Sequence, residues 1–187
     1  MRAPGATTVC FDKRMKDGTY DKYCQGHGID IGGAADPLKI PGRTIDLWDK
    51  EQGDAEEMLD VQENKYDFVY ASHIIEHLDK PIDAIGRWIE ICRERGFIFI
   101  VFPDFRRYEK LGEQRFNKDH KHYFSLDPNY IRRCKWIPEL LEPDNFSIEV
   151  YSMRVNDDGY DYSLPDNIDQ TRTGACAHIE VILRKNG

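Results

Sequence analysis

The feature that most constrains the fold is an amphipathic helical pattern followed at once by a continuous apolar run. Apolar residues recur at helical spacing between Ile82 and Cys92, so this segment is predicted to form a helix with one apolar face. Residues 97–102 (FIFIVF) are apolar without interruption, which is typical of a strand buried on both faces of a parallel sheet. A strand reached through a helix is expected to lie parallel to the strand before that helix.

Several shorter apolar segments extend this pattern into an α/β fold. We predict a three-layer sandwich with a mostly parallel sheet of the seven-stranded type and an antiparallel C-terminal strand pair. The link from Gly33 to Arg43 is short for a crossover helix, so the first helix is expected to be a single turn or missing. The further predicted strands are residues 28–33, 43–47, 66–71, 147–153 and 178–183.

The chain length and the spacing of the elements predict one domain over residues 1–187. Residues 1–25 are polar and are interpreted as an N-terminal extension. A helix is predicted to start at Asp127 and to end before Pro138. Residues 104–126 and 154–177 are interpreted as loops on the substrate side of the domain.

Composition limits the partners and the compartment. The chain has 34 acidic and 26 basic residues, a formal net charge of −8, which disfavours nucleic acid as a partner. The five cysteines lack a C-x-x-C pair, which predicts reduced thiols rather than disulfides or a zinc site. No run of 18 apolar residues and no signal-type segment is present, so we expect a cytoplasmic protein without a membrane partner. The oligomeric state does not follow from the sequence.

Polar residues and glycines follow the first predicted strands, where open parallel sheets bind their ligands. Gly32 and Gly33 allow the backbone to approach a ligand closely. Asp46, at the predicted end of the second strand, can accept hydrogen bonds from ribose hydroxyls. Asp54 follows Gly53 and can accept from an amino group such as that of adenine. Together these residues predict a crevice that binds a nucleoside.

Five segments in this order resemble the class I S-adenosylmethionine-dependent methyltransferases. The likeness covers residues 26–125 and is closest to the branch that modifies ubiquinone, sugars and other small molecules. The usual alternating glycines are absent, since GGAAD occupies residues 32–36. The segments are GIDIGG (28–33), IDL (45–47), GDAEEM (53–58), YDFVYASHIIEHL (66–78) and GFIFIVFPD (96–104).

The resemblance implies that the cofactor is S-adenosylmethionine, which leaves as S-adenosylhomocysteine. The acidic residues expected to contact the cofactor suit a molecule that carries an ammonium, a sulfonium and two hydroxyls but no phosphate. It implies these cofactor contacts: Asp30, Gly32 and Gly33 at the methionine part, Asp46 and Leu47 at the ribose, Asp54 and Ala55 at the adenine, and Ser72 and His73 along the cofactor.

A second histidine group marks candidate catalytic residues. Methyl transfer to a hydroxyl needs alignment and a base that accepts a proton near neutral pH. His120 and His122 are candidate bases, with Asp104 as an orienting residue or a base. The tetrapeptide typical of enzymes that methylate base amino groups is absent, because ASHI occupies residues 71–74. We therefore expect a small molecule or a saccharide, methylated on oxygen, as the acceptor.

Other functions compete with this interpretation. The sequence His73-x-x-Glu76-His77 matches an inverted zinc-peptidase signature, but His73 follows a strand, so we expect no metal and a buried Glu76–His77 pair. A protein that binds the cofactor without turnover is also consistent with the segments. The glycine turn lacks the G-x-G-x-x-G pattern of nicotinamide-dependent dehydrogenases, and G-K-[ST] is absent.

Overall fold

A computed structural model describes residues 6–110, 117–130, 132–137, 141, 146–165 and 167–187. In that part of the chain, no helix combines the length and the apolar character needed to cross a bilayer. The helices are α1 (Ala6–Lys16), α2 (Thr19–Tyr23) and α3 (Pro81–Ile91). The strands are β1 (His27–Ile31), β2 (Thr44–Trp48), β3 (Tyr66–Ser72), β4 (Cys92–Pro103), β5 (Phe124–Ser125), β6 (Lys135–Trp136), β7 (Ile148–Asn156) and β8 (His178–Lys185).

Six strands form one sheet in the order β2-β1-β3-β4-β8-β7. The strands β2, β1, β3 and β4 run parallel, whereas β8 pairs antiparallel with both β4 and β7. The predicted α/β fold with an antiparallel C-terminal pair is confirmed, with six strands in the main sheet of the described residues. Residues 54–60, which follow β2, form a series of turns.

The sheet is covered by helices on both faces because β3 and β4 carry apolar residues on both faces. Val69 and Ala71 of β3 belong to the core cluster that contains Trp88 of α3. Phe68 and Tyr70 point to the opposite face, where they pack in a cluster with α2. All five side chains are buried. This double burial explains why β3 and β4 read as continuous apolar runs.

The expected single turn after β1 is present as a 3-10 helix, Gly33–Ala35. The predicted helix from Asp127 is wrong over the described residues. A 3-10 turn forms at Pro128–Tyr130, and the chain then enters β6, where Lys135 N donates to Tyr123 O at 2.8 Å. This pairing with β5 replaces helical hydrogen bonds; Ile131 and Pro138 lie outside the described residues.

A buried polar cluster fastens α1 to the sheet. The Arg14 guanidinium donates to Glu180 Oε1 at 2.8 Å and to Tyr70 Oη at 2.9 Å. Glu180 also accepts from Asn156 Nδ2 at 3.0 Å. Burial alone would raise the pKa of the Glu180 carboxyl, but the hydrogen bond with His178 and the charge of Arg14 hold it below its usual range. The cluster fixes α1 above the sheet next to the carboxyl ends of the strands.

Candidate active site

A cavity of about 440 Å³ opens at the carboxyl ends of β1 and β3. Its volume falls in the range of about 300–1,000 Å³ that is usual for ligand pockets. It is lined by the first residues of α1, by the turn after β1 and by residues 72–77 at the end of β3. Parts of the predicted loops 104–126 and 154–177 also line it. The position agrees with the general rule for ligands of open α/β sheets.

The turn after β1 requires glycine at two positions. Gly32 has a φ of 79°, a left-handed conformation that side chains disfavour. A Cβ atom at Gly33 would lie 2.0 Å from Asp30 Oδ2, so no larger residue fits there. Both glycines line the cavity, so the backbone itself forms this part of the wall.

Asp30 lies behind the glycine turn with one carboxylate oxygen unused. Its Oδ2 accepts from Leu38 N at 2.7 Å, while its buried Oδ1 has no hydrogen-bond partner. Burial raises the pKa of Asp30 to about 7. The carboxyl is therefore poised to respond to a positively charged group that binds next to the turn.

Replacing Asp30 with asparagine is expected to change how stability depends on pH. Because the folded-state pKa is raised from 3.8 to about 7, this group's contribution is present in acid and is lost as pH rises through about 7. Asp30→Asn should exceed the wild type in unfolding free energy by on the order of 1–4 kcal/mol at pH 8, and by less at pH 5. Denaturant unfolding at both pH values measures this, with exposed Asp60→Asn as the control. A difference that is the same at pH 5 and pH 8 would contradict it.

The segment after β3 contributes strained backbone and an unpartnered carboxylate. His73 has a φ of 54°, and such strain concentrates at functional sites. Glu76 is 1% exposed, and neither of its carboxylate oxygens has a hydrogen-bond partner. Its Oε1 lies 3.4 Å from His73 Nδ1 and 3.8 Å from His120 Nε2. The predicted buried Glu76–His77 pair is wrong, because Glu76 Oε1 and His77 Nε2 lie 4.0 Å apart without a hydrogen bond and the His77 side chain is 35% exposed.

His120 is held between two carboxylates at the cavity wall. Its Nδ1 is hydrogen-bonded to Glu109 Oε1, and both residues are buried. The ring of Tyr108 stacks on it with a centroid distance of 5.7 Å. With Nδ1 occupied by Glu109, Nε2 faces Glu76 at a distance too long for a hydrogen bond and can accept a proton there.

The other two candidate catalytic residues lie elsewhere. Asp104 is buried at the end of β4, where its Oδ1 accepts from Arg106 N at 3.1 Å and from Arg107 N at 2.8 Å. It also pairs with the Arg107 guanidinium at 3.1 Å, so it stabilises a turn. His122 packs towards Phe124. Neither Asp104 nor His122 is among the described residues that line the cavity.

Asp46 does not end β2, contrary to the prediction, because the strand continues to Trp48. Its carboxylate accepts from Tyr66 Oη at 2.9 Å and lies 3.0 Å from His27 Nε2, next to the first residues of β3 and β1. The acidic residue that follows β2 is Asp49, whose Oδ2 accepts from Ala34 N at 3.0 Å. Asp49 therefore contacts the glycine turn, whereas the Asp46 carboxylate contacts residues at the amino ends of β1 and β3.

The remaining predicted contacts also lie outside the described cavity wall. Leu47 is 41% exposed on β2. Asp54 closes a local turn, since its Oδ1 accepts from Glu56 N at 2.6 Å. Ala55 accepts the Trp88 indole N–H at its carbonyl, 2.9 Å away. Of the predicted cofactor contacts, the cavity brings together Gly32, Gly33, Ser72 and His73.

Two parts of the site were absent from the sequence prediction. Ala6, Thr7 and Val9 of α1 line the cavity, although the segment was interpreted as an extension. Glu109, the partner of His120, carried no motif. Its position in the predicted substrate-side loop was the only signal that could have pointed to it.

The fold and the cavity define a Rossmann-like protein that binds a nucleoside-type cofactor beyond the ends of parallel strands. A family model described as a methyltransferase domain matches residues 13–135, more than half of the chain. The chain belongs to this methyltransferase family.

Solved methyltransferases share the fold at low sequence identity. A SAM-dependent methyltransferase from Archaeoglobus fulgidus aligns with a TM-score of 0.58 and 14% identity over 97% of this chain and 95% of that one. A SAM-dependent methyltransferase from Thermotoga maritima aligns with a TM-score of 0.55 and 16% identity over 96% of this chain and 100% of that one. A Haloferax volcanii methyltransferase was solved in complex with the activator Trm112. It aligns with a TM-score of 0.55 and 10% identity over 96% of this chain and 94% of that one. No curated protein matches the sequence.

The cofactor of the family, S-adenosylmethionine, agrees with the groups around the cavity. Asp36 and Glu76 supply carboxylates, and Ser72 supplies a hydroxyl. Arg172 is the only arginine or lysine among the described lining residues, and its side chain is 78% exposed beside Asp169. This set suits a ligand with cationic groups and hydroxyls, and Arg172 is the only permanently charged donor for a phosphate among the described lining residues.

Proposed function

We propose that the protein transfers a methyl group from S-adenosylmethionine to an oxygen atom of a small molecule or a saccharide. One observation carries this proposal: His120, which is hydrogen-bonded to Glu109, and Glu76, whose carboxylate has no hydrogen-bond partner, line the same cavity as the glycine turn. Methyl transfer to a hydroxyl requires a base next to the bound cofactor, and a single cavity that contains both meets this requirement.

The residues divide the chemistry between them. S-adenosylmethionine, held next to Gly32 and Gly33, would supply an electrophilic methyl group to the acceptor oxygen. His120 Nε2 takes the acceptor's hydroxyl proton, while Glu109 fixes the ring through Nδ1. Glu76 Oε1, 3.8 Å from Nε2, stabilises the imidazolium that results. The proton taken up by His120 would then be released to solvent.

The cofactor contacts combine the resemblance with the geometry. Gly32 and Gly33 form the wall next to the methionine part, with the Asp30 carboxyl behind them. Ser72 and His73 line the same wall. Asp49 takes the ribose role that was predicted for Asp46, since it contacts the glycine turn.

Substituting the two aspartates separately tests this assignment. Asp49→Ala should weaken S-adenosylmethionine binding by at least about tenfold, because a charge-assisted hydrogen bond contributes about 1.5–3 kcal/mol. Asp46→Ala, its matched control three residues earlier in β2, should leave the affinity within about twofold. Calorimetric titration measures both. A larger loss in Asp46→Ala than in Asp49→Ala would return the ribose contact to Asp46.

A panel of hydroxylated small molecules and saccharides tests the proposed reaction. Incubation with S-adenosylmethionine should yield S-adenosylhomocysteine and an O-methylated product from at least one acceptor, detected by mass spectrometry. Transfer to nitrogen alone would refute the choice of oxygen. Tight cofactor binding without turnover on any acceptor would favour the non-catalytic alternative.

A further inference from the structure

A second group of polar side chains lies beside the cavity and plays no part in the proposed reaction. Cys10 of α1, Cys176 of the long C-terminal loop and His178 of β8 come together there, and all three are buried. Cys10 Sγ lies 3.2 Å from Cys176 Sγ and 3.8 Å from His178 Nε2. We infer that these three residues form a binding site for a thiophilic divalent metal ion such as Zn²⁺.

The distances favour a metal site over a disulfide. Two thiolates bound tetrahedrally at about 2.3 Å lie about 3.8 Å apart, so the sulfurs would separate by only about 0.6 Å. A disulfide bond of about 2.05 Å would need them to approach by about 1.1 Å. A disulfide would also give His178 no role, whereas two thiolates and an imidazole are a common ligand set for Zn²⁺.

The charge balance favours the same ion. Two thiolates balance the charge of a divalent ion, so the ion and its sulfur ligands together carry no net charge in the buried site. The nearby Arg14 and Glu180 already neutralise one another at 2.8 Å. Asn156 Nδ2, 3.9 Å from Cys10 Sγ, can donate a hydrogen bond to a thiolate.

The site has an access route and an open position. Cys176 and His178 both line the cavity, so an ion can reach the ligands from there. Three protein ligands leave one position of a tetrahedral ion for water or another donor. No sequence pattern predicted the site, because Cys10 and Cys176 are separated by 166 residues. The inference does not depend on the proposed methyl transfer.

Cobalt titration of the full chain after chelator treatment tests the site. One equivalent of Co²⁺ should bind and give a thiolate-to-cobalt charge-transfer band. Cys10→Ser and Cys176→Ser should each reduce the band by about half, because each removes one of two thiolates. His178→Gln should weaken Co²⁺ affinity by at least about tenfold. The matched controls Cys24→Ser and Cys92→Ser, buried thiols elsewhere, should keep the full band.

Three outcomes overturn the inference. They are the absence of a band in the folded wild type, a band that persists in the Cys10→Ser/Cys176→Ser double variant, and Co²⁺ binding without a thiolate band that His77→Gln/His120→Gln abolishes. The last would assign the ion to Glu76, His77 and His120, the other described group with suitable spacing.

A measurement on the unmutated protein covers variants that fail to fold. One equivalent of Zn²⁺ should slow alkylation of Cys10 and Cys176 by N-ethylmaleimide at least about tenfold, as quantified by peptide mass spectrometry. The partly exposed Cys134 should react at the same rate with and without zinc. Equal rates for Cys10 and Cys176 in both conditions, or a Cys10–Cys176 disulfide that forms despite zinc, would overturn the inference.

Discussion

Replacing His120 with glutamine should lower the rate of methyl transfer by about 100- to 10,000-fold, the usual contribution of a general base. Glutamine retains a hydrogen-bonding side chain beside Glu109 but cannot accept the acceptor's proton at Nε2. S-adenosylmethionine affinity should change by less than about threefold, since the lost function concerns the acceptor. Steady-state kinetics and calorimetry measure the two effects separately.

The matched control for His120 is His122, two residues further along the same segment and outside the described cavity wall. His122→Gln should keep the turnover rate within about threefold. Equal rates for wild type and His120→Gln would refute the base assignment. A rate that falls only in His122→Gln would transfer the role to His122.

The second large effect is expected on stability, from Glu180→Gln. This change leaves the fully buried Arg14 guanidinium without its carboxylate, and breaking a buried ion pair costs about 3–5 kcal/mol. Denaturant unfolding in the presence of a chelator measures the loss without a contribution from metal bound to the neighbouring His178. The exposed Glu149→Gln on β7 is the control and should change stability by less than about 0.5 kcal/mol.

The double variant Arg14→Met/Glu180→Gln separates the charge from the packing. Removing both partners avoids an unpaired buried charge, so it should recover part of the stability lost in Glu180→Gln. Additive losses from Arg14→Met and Glu180→Gln would show that the pair is not coupled. The interpretation of α1 as fastened by this ion pair would then be wrong.

The sheet was predictable because a strand that is buried on both faces has an uninterrupted apolar sequence. The apolar run at residues 97–102 and the helix before it correspond to β4 and α3. The prediction of a helix from Asp127 was wrong because it used only the residue pattern within that segment. In the structure, Lys135 pairs with β5, which lies outside the segment. Tertiary pairing of this kind overrides helical propensity and has no periodic signal.

The candidate site was predictable only where a motif follows a strand. Gly32, Gly33, Ser72 and His73 line the cavity because they follow β1 and β3 directly. The predicted end of the second strand was one residue short, because β2 continues to Trp48, and the exact end of a strand is the least certain part of a sequence prediction. Glu109 and the cavity-lining residues of α1 come from segments without periodicity, so only the folded chain brings them to the site.

The contact between α1 and β8 also bears on the order of assembly during translation. Arg14 emerges from the ribosome long before Glu180, the carboxylate that neutralises it. Until residues 178–185 are made, one edge of β4 has no neighbouring strand, and the nascent chain exposes a long apolar surface. We expect the nascent protein to need protection by chaperones until nearly the last of these residues is synthesised.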